Sequence, residues 1–193
     1  MNVGVLVSGT GTNLQALLDA EARGELAPAQ ITIVISNNPT APAIARATAA
    51  GKPALAIDHR GLSREAFEDL LIAGLRDVDL VVLAGFMRVL TPHFLARFTR
   101  PVINTHPSLL PAFPGMDAPG QAISAGARES GVTVHRVDQT VDGGAILAQV
   151  PVAIVTGDTP ASLHARIQAE EHRLLPRIVR EIAAGQIVFA APP

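Results

Sequence analysis

The chain has 193 residues, which is enough for one well-buried domain and short for two. Its formal net charge of −2 at pH 7 and its aromatic content of 3%, without Trp or Tyr, argue against a nucleic-acid partner, and its lack of Cys excludes disulfides, thiolate metal sites and a Cys nucleophile. The N-terminus lacks the segments of a signal peptide, and no apolar run reaches the roughly 20 residues of a membrane span, so we expect a cytoplasmic protein without a membrane partner.

Apolar runs rich in Val, Ile and Leu alternate with segments of helical period in the first half of the chain. The runs predict strands over 2–7, 30–35, 53–57, 79–84 and 101–103, and the intervening segments predict helices over 13–23, 41–50, 63–76 and 91–99. Ser63 suits a helix N-cap, and Pro92 after Thr91 suits a first helical position. Continuous apolar strands alternating with helices predict a Rossmann-like α/β fold, in which helices flank a mostly parallel twisted sheet.

The alternation of apolar runs with helical segments ends after residue 104. A loop rich in Pro and Gly over 104–120 leads to a short predicted helix near 119–126. Two apolar stretches, GVTVHRV and ILAQVPVAIV, predict antiparallel strands added in the C-terminal half. A long helix from Pro160 to Gly185 is expected to be kinked or interrupted at Pro176. Because no linker or repeat separates the two halves, we expect one domain.

The stretch SGTGTN, residues 8–13, directly follows the first predicted strand. Its glycines permit tight turns that can direct the amides of the next helix's N-terminus at an anion. It is not a P-loop, because no Gly-Lys-Ser/Thr follows, and it is a poor dinucleotide fingerprint, because Leu14 replaces the third Gly. With Thr12 and Asn13 adding polar groups, we interpret it as a single-phosphate site; the alternative is an ordinary strand-to-helix turn.

Asn104 and His106 lie two residues apart at the end of a short apolar run. In an extended segment their side chains point the same way. An amide N–H and an imidazolium can both stabilise the oxygen that becomes negative in a tetrahedral intermediate, so the pair suits acyl chemistry. The alternative is an ordinary pair of polar side chains whose hydrogen bonds are satisfied within the fold.

The stretch DQTVDGGAIL, residues 138–147, holds two carboxylates, Asp138 and Asp142. Asp142 before two glycines can be simply a turn residue. If this loop folds beside His106, however, the carboxylate would orient the imidazole and stabilise its protonated form. No Ser lies in a nucleophile elbow and no cluster has metal-ligand spacing, so neither serine hydrolysis nor a metal is predicted.

Five stretches, in this order and spacing, resemble the folate-dependent phosphoribosylglycinamide formyltransferase family. They are VLVSGTGTNLQAL, VVLAGFMRVL, NTHPSLLPAFPG, GVTVHRV with VDGGAIL, and RIQAEEHRLLP. The resemblance extends from Met1 to about Ala183. It implies transfer of a formyl group from the co-substrate 10-formyltetrahydrofolate to the amine of 5-phosphoribosyl-glycinamide, in de novo purine biosynthesis. It also implies small-molecule substrates, no metal, and a monomer or homodimer.

The resemblance assigns the chemistry to Asn104, His106 and Asp142, which match the family's catalytic trio. It implies that the substrate amine attacks the formyl carbon directly and that a tetrahedral intermediate forms. Asn104 and protonated His106 would stabilise its oxyanion, while Asp142 would keep His106 charged and help to move the proton.

The resemblance also assigns binding residues. Those for the ribonucleotide are Gly11, Thr12, Asn13, Gln168 and Glu171. Those for formyl-folate are Arg64, Met87, Arg88, Val89, Leu90, Asn104, Asp138 and Val141. The single domain, 1–193, is thereby divided into a phosphoribosyl-binding half, 1–100, and a catalytic and folate-binding half, 101–193. The residues alone leave open that Arg64 is merely solvated and that FMRVL packs in the core.

The chain departs from the family in the loop after FPG. Asp117 stands where a His is common, and Pro119 and Gly120 replace a further His-Arg pair. Because the change removes positive charge and adds a carboxylate near a phosphorylated substrate, we expect reduced affinity for the ribonucleotide. Arg136 stands where an apolar or aromatic residue is usual.

Three other functions compete with this one. A formyltetrahydrofolate hydrolase would share the trio but is expected to carry an additional N-terminal domain, for which a first strand beginning at residue 2 leaves no room. A methionyl-tRNA formyltransferase is expected to add a C-terminal RNA-binding domain, and the net charge of −2 fits tRNA poorly. A non-catalytic nucleotide-binding module would need the Gly-rich loop but neither His106 nor Asp142.

Overall fold

The computed structural model describes residues 1–189 and has the α/β fold that the alternating pattern predicts. In chain order the elements are β1 (Asn2–Val7), α1 (Thr12–Ala22), β2 (Gln30–Ser36), α2 (Pro42–Ala49), β3 (Ala54–Ala56), α3 (Arg64–Gly74), β4 (Leu80–Leu83), α4 (Pro92–Arg97), β5 (Val102–His106), α5 (Ala118–Ser124), β6 (Glu129–Arg136), β7 (Ile146–Ala153) and α6 (Pro160–Ala183).

A single sheet holds the strands in the order β3-β2-β1-β4-β5-β6-β7. The pairs among β1 to β5 are parallel, whereas β6 pairs antiparallel with both β5 and β7. The predicted mostly parallel sheet with antiparallel strands in the C-terminal half is therefore confirmed. The strand order changes direction between β1 and β4, and ligands of such sheets bind outside the carboxyl ends of the strands at this point.

Two hydrophobic cores lie on opposite faces of the sheet. In β1, Val3, Val5 and Val7 belong to the core shared with α1, α2 and α6, whereas Leu6 belongs to the core shared with α3 and α4. Because helices cover both faces, each parallel strand needs apolar side chains on both sides. This burial explains why the strands are continuous apolar runs in the sequence.

The boundary between strand and loop at residue 104 is predicted wrongly. The apolar run suggests a strand over 101–103, but β5 continues to His106 because Asn104, Thr105 and His106 pair with β6. An apolar-run criterion ends the strand too early, since these polar side chains find hydrogen-bond partners on the two faces of the sheet. The backbone ladder, rather than a loop, therefore positions Asn104 and His106.

The sequence predicts a kink or an interruption of the last helix at Pro176, and of these two the interruption is wrong. α6 runs through Pro176 without a break. Proline removes one backbone hydrogen bond, but apolar residues on either side, including Leu175 and Val179, are fully buried and hold the helix against the sheet.

Within residues 1–189, no helix is both long and apolar enough to cross a membrane.

The two predicted helix starts differ in their capping. Ser63 caps α3 as expected, because its hydroxyl accepts a hydrogen bond from the Ala66 amide over 3.1 Å. Thr91 occupies the N-cap position of α4, but its hydroxyl donates instead to the carboxylate of Glu68. The Thr91 amide donates to the other oxygen of Glu68 over 2.8 Å. The segment before α4 is thereby tied to α3.

Candidate active site

The two faces of β5 carry different polar groups. Side chains alternate along a strand, so Asn104 and His106 share one face and Thr105 lies on the other. The β6 register places His135 opposite Asn104 and Thr133 opposite His106 on the same face. The structure thus brings Asn104 and His106 together, as the sequence predicts.

The hydrogen bonds of His106 distinguish its two ring nitrogens. Nε2 lies 2.9 Å from the carbonyl oxygen of Phe113. Because a carbonyl oxygen only accepts hydrogen bonds, Nε2 carries the hydrogen. Nδ1 lies 3.5 Å from Asp142 Oδ2 and can donate to that carboxylate only when the ring is protonated. Nδ1 is therefore the nitrogen that carries no hydrogen in the neutral ring and carries one in the protonated ring.

A second histidine, which the sequence reasoning missed, completes the cluster. His135 Nδ1 donates to the carbonyl oxygen of Arg136 over 3.0 Å, which leaves Nε2 as the acceptor of the neutral ring. Asn104 Nδ2 donates to this Nε2 over 3.2 Å. Burial lowers the pKa of His135 below its ordinary value, although the Arg136 carbonyl and the Asp142 charge oppose the shift.

The hydrogen bonds of His135 have a consequence for Asn104. Because Nε2 of His135 accepts, the NH₂ group of the Asn104 amide must face it, and the second hydrogen of that NH₂ group remains available. The only sequence signal for His135 would have been the strand register, since a lone His in an apolar strand is usually structural.

Asp142 lies between the two histidines. Its Oδ1 is 3.7 Å from His135 Nε2, and its Oδ2 accepts a hydrogen bond from the Gly115 amide over 2.8 Å. Its φ of 53° is in the left-handed region, which is uncommon for residues other than Gly. Gly144 lets the loop approach the end of β6, because a Cβ at this position would overlap the carbonyl oxygen of Arg136. The Asp-Gly-Gly sequence thus directs the Asp142 carboxylate toward His106.

Asp138 and Val141, both predicted on the folate side, lie in the same loop with different surroundings. Asp138 Oδ1 accepts hydrogen bonds from the amide and the hydroxyl of Thr140, so this carboxylate organises its own turn. The Val141 side chain is 58% exposed. Of the two, only Val141 presents an apolar surface to an incoming ligand.

The Gly-rich loop has the backbone of an anion site. Gly11 is the N-cap of α1 with φ of 75°, and no side chain caps the first turn of the helix. A Cβ at this position would lie 2.6 Å from the Cβ of Ala43 in α2, so only Gly fits. Arg46 donates to the carbonyl oxygen of Thr10 over 2.8 Å and holds the loop from outside. The first amides of α1 are left without a side-chain acceptor, as a phosphate would require.

Two residues of α6 meet the start of α1. Gln168 Nε2 donates to Thr12 Oγ1 over 3.0 Å. Glu171 accepts from the Thr105 hydroxyl over 3.0 Å and from the Asn13 side chain. The structure therefore brings Thr12, Asn13, Gln168 and Glu171 together, as the resemblance implies, on the face of β5 opposite to His106.

Two unusual properties mark this second cluster. Burial raises the pKa of the Glu171 carboxyl above its ordinary value, and the hydrogen bonds from Thr105 and Asn13 only partly oppose the shift. Asn13 Oδ1 is buried without a hydrogen-bond partner in the protein. An orphaned acceptor in a buried residue is costly, and a ligand N–H or O–H group would satisfy it.

The predicted folate segment, 87–90, contains both exposed and buried side chains. Met87 and Val89 are 75% and 51% exposed, whereas the Leu90 side chain is buried in the core with α3 and α4. The Met87 amide donates to Ser8 Oγ over 2.8 Å. The alternative of core packing therefore holds for the Leu90 side chain and not for Met87 or Val89.

The two arginines predicted on the folate side also differ. The Arg88 guanidinium lies 5.0 Å from the ring centroid of Phe67, a cation–π contact that directs it along α3. Arg64 is exposed at the first position of α3. Its surroundings agree with the solvated alternative as well as with a carboxylate-binding role.

The three departures after FPG build a helix start. Asp117 is the N-cap of α5 and accepts a hydrogen bond from the Gly120 amide over 3.3 Å. A Cβ at position 120 would overlap the Asp117 carboxylate, so Gly120 makes room for this cap. Pro119 lies in the first turn, where its missing N–H is tolerated. Arg136, the fourth unusual residue, lies 5.6 Å from the ring centroid of Phe189.

Within residues 1–189, no group of three or more His, Cys, Asp or Glu side chains could hold a metal ion. The arrangement instead combines hydrogen-bond donors, a titratable nitrogen and a carboxylate on one face of β5 with an anion-type loop on the other. Such a set can bind a phosphorylated substrate and stabilise charge on an acyl oxygen.

Residues 1–179 match the model of the formyl transferase family. The trifunctional purine biosynthetic protein adenosine-3 of Drosophila melanogaster is 46% identical over 97% of this chain, which spans only 14% of that protein. The phosphoribosylglycinamide formyltransferase of Haemophilus influenzae is 39% identical over 96% of this chain and 88% of that protein. The crystal structure of glycinamide ribonucleotide transformylase 1 from Symbiobacterium toebii has a TM-score of 0.94 at 44% identity, covering 98% of this chain and 91% of that one.

Proposed function

The chain belongs to the formyl transferase family, and we propose that it transfers a formyl group from 10-formyltetrahydrofolate to the amine of 5-phosphoribosyl-glycinamide. The products would be formyl-phosphoribosylglycinamide and tetrahydrofolate, in de novo purine biosynthesis. The observation that carries the proposal is the convergence of Asn104, His106 and Asp142 beside an anion-type loop. The names of relatives that this chain matches over nearly their whole length support the same acceptor.

We assign the transition-state chemistry to the first face of β5. The free hydrogen of the Asn104 amide would donate to the formyl oxygen as it becomes negative, and the positive charge of a protonated His106 ring would stabilise the same oxygen. The two N–H groups of that ring would be directed at Phe113 from Nε2 and at Asp142 from Nδ1. The Asp142 carboxylate would accept from Nδ1 of a protonated His106 ring, whereas His135 directs its Nδ1–H at Arg136 and accepts from Asn104 at Nε2.

The reaction balances without a covalent enzyme intermediate. The glycinamide nitrogen forms a bond to the formyl carbon, and the bond from that carbon to N10 of the folate breaks. One proton leaves the attacking nitrogen and one reaches N10. We assign the relay of this proton to Asp142 and His106, which are 3.5 Å apart and can exchange it directly or through water.

We assign the phosphoribosyl group to the second face of β5 and the start of α1. The amides of Gly11, Thr12 and Asn13 would bind the phosphate, since α1 lacks a side-chain cap. Gln168 and Glu171 would bind the ribose, and the orphaned Oδ1 of Asn13 would accept from a ligand donor.

We assign the formyl-folate to the apolar rim beside the catalytic residues. Its exposed apolar members, Met87, Val89 and Val141, suit an aromatic ring system. The remaining proposed contacts are the backbone of Leu90, the amide of Asn104, the turn of Asp138 and the guanidinium groups of Arg64 and Arg88, which suit the glutamate carboxylates of the folate tail.

We further propose a single domain, 1–193, with the ribonucleotide bound mainly by 1–100 and the catalytic and folate-binding groups mainly in 101–193. α6 adds Gln168 and Glu171 to the first site from the second half. We also propose that the protein is cytoplasmic and is a monomer or homodimer. It would act on small molecules, without a metal, a nucleic acid or a membrane.

A folate-release assay tests the proposal. The protein is mixed with 10-formyltetrahydrofolate, with and without phosphoribosyl-glycinamide, and both tetrahydrofolate and formylated product are quantified. We expect release only with the ribonucleotide, and product in equal amount. Release to water without the acceptor would instead identify a formyltetrahydrofolate hydrolase, and no release in either case would indicate a binding module.

A further inference from the structure

The segment 113–117, called the bridging loop, connects the two titratable catalytic side chains through its backbone. The Phe113 carbonyl oxygen accepts from His106 Nε2 over 2.9 Å, and the Gly115 amide donates to Asp142 Oδ2 over 2.8 Å. The course of this loop therefore decides which nitrogen of His106 carries the hydrogen and where the Asp142 carboxylate lies.

Two residues of the bridging loop other than Gly have a backbone conformation that they do not favour. The φ angles of Phe113 and Asp117 are both 54°, and that of Gly115 is 80°. Residues other than Gly rarely adopt such angles unless their surroundings impose them. Burial is not the cause, because residues 114–117 are exposed and the Met116 side chain is 88% exposed. Hydrogen bonds from outside the loop must hold it.

Gln121, in the first half of α5, supplies such bonds. Its Nε2 donates to the carbonyl oxygen of Pro114 over 2.9 Å and to that of Met116 over 2.8 Å. These two carbonyls flank Gly115, whose amide holds Asp142. Both amide hydrogens of Gln121 are thus committed to this loop, one to the Pro114–Gly115 peptide unit that carries the Gly115 amide and one to the peptide unit after Met116.

We propose that Gln121 is a positioning residue for the catalytic pair. By holding the carbonyls of Pro114 and Met116, it fixes the directions of the Phe113 carbonyl and the Gly115 amide. It thereby keeps neutral His106 in the form that carries its hydrogen on Nε2, with Nδ1 facing Asp142. The effect on rate rests on the proposed function, whereas the effect on the His106 tautomer does not.

The test compares Gln121→Met with a methionine substitution at a control position, both made in the full chain. Gln121→Met keeps the length of the side chain and removes both donors, and Gln121→Lys restores a donor of similar reach. Gln30→Met is the matched control, because Gln30 donates over 3.0 Å to the Asn2 side chain at the opposite, amino end of the sheet. The measurements are kcat and KM over a range of pH, thermal stability, and the ¹⁵N spectrum of the His106 ring, assigned by its loss in His106→Gln.

For Gln121→Met we expect kcat to fall about tenfold, with KM for the ribonucleotide changed less than about twofold, since misplacement of catalytic groups acts on the transition state. The ¹⁵N signals should move from the pure Nε2–H form toward a mixture, and Gln121→Lys should recover most of both properties. Gln30→Met should behave as the unmodified protein.

Two results would overturn the proposal: an unchanged His106 tautomer in Gln121→Met, or a loss of thermal stability with kcat and its pH profile unchanged. If the unmodified protein transfers no formyl group, the proposed function fails, and the tautomer measurement alone then decides on Gln121.

Discussion

The two faces of β5 hold their functional side chains in different ways. On the face proposed to bind the ribonucleotide, called the binding face, Thr105, Asn13 and Glu171 are joined by direct side-chain hydrogen bonds. On the face proposed for catalysis, called the catalytic face, His106 Nδ1 and Asp142 Oδ2 lie 3.5 Å apart, and each side chain is held mainly by the backbone of the bridging loop. The side chains of the binding face are therefore linked to one another directly, whereas the catalytic face keeps a longer contact between His106 and Asp142. Changes on the first face should alter affinity, and changes on the second should alter turnover.

The largest expected effect tests the catalytic face. His106→Ala should lower kcat by about 10²–10³, because it removes the positive charge that the proposed mechanism places near the oxyanion in the transition state. Ribonucleotide binding, measured by calorimetry, should stay within a few-fold. His93→Ala is the control, since His93 also lies 2.8 Å from a carboxylate, that of Asp69, but on the surface. Near-normal turnover in His106→Ala would contradict the assignment of turnover to the catalytic face.

Asp142→Asn should lower kcat on the order of 10², since the carboxylate that faces His106 Nδ1 over 3.5 Å and takes part in the proposed proton relay is lost. The amide can still accept from Gly115, so the bridging loop should keep its place. Steady-state kinetics across pH measure the effect, with Asp69→Asn as the control. Full activity would remove Asp142 from the mechanism.

Gly11→Ala tests the binding face. We expect a stability loss of about 1–3 kcal/mol and a roughly tenfold weaker ribonucleotide affinity, because the new Cβ strikes Ala43 and displaces the loop. Gly24→Ala is the matched control, since Gly24 has the same φ of 75° but no atom within 4 Å of the added Cβ. If both variants bind the ribonucleotide alike, the close approach of α2 is not what shapes the loop.

Glu171→Gln should separate function from stability. The folded pKa of Glu171 is raised, so between its unfolded pKa and the folded one the native state binds more protons and stability falls as pH rises. Above that window Gln should raise Tm by about 2–4 °C, while ribonucleotide affinity falls several-fold. Thermal melts from pH 4 to 8 measure this, with Glu170→Gln as the control. A lower Tm at pH 8 would contradict it.

The smallest expected effect concerns Asp117 of the bridging loop and its influence on ribonucleotide affinity. Asp117→His should strengthen ribonucleotide binding by about two- to fivefold, because a carboxylate is removed, and should cost about 1 kcal/mol of stability, because the α5 cap is lost. Asp117→Asn keeps a capping oxygen and isolates the charge. An unchanged KM in both variants would show that this carboxylate does not act on the substrate.

The local features of both sites could be predicted from sequence, and their long-range partners could not. Gly11 at the start of α1, Asn104 and His106 on one face, and Asp142 before two glycines are visible because each depends on neighbours in the chain. His135 was missed, since its role depends on the register between β5 and β6. The bridging loop was missed as a holder of His106, because backbone carbonyls and amides leave no mark in the residue pattern.

The sequence by itself determined the α/β alternation, the strand-end positions of the candidate residues and the family, because these follow from local periodicity and from ordered motifs. Only the tertiary structure decided that β5 reaches His106, that α6 passes through Pro176 and that Leu90 packs in the core. The same holds for the hydrogens on His106 Nε2 and His135 Nδ1. Each of these depends on burial and hydrogen-bond partners supplied by distant segments, and such free energies are not encoded at any one position of the chain.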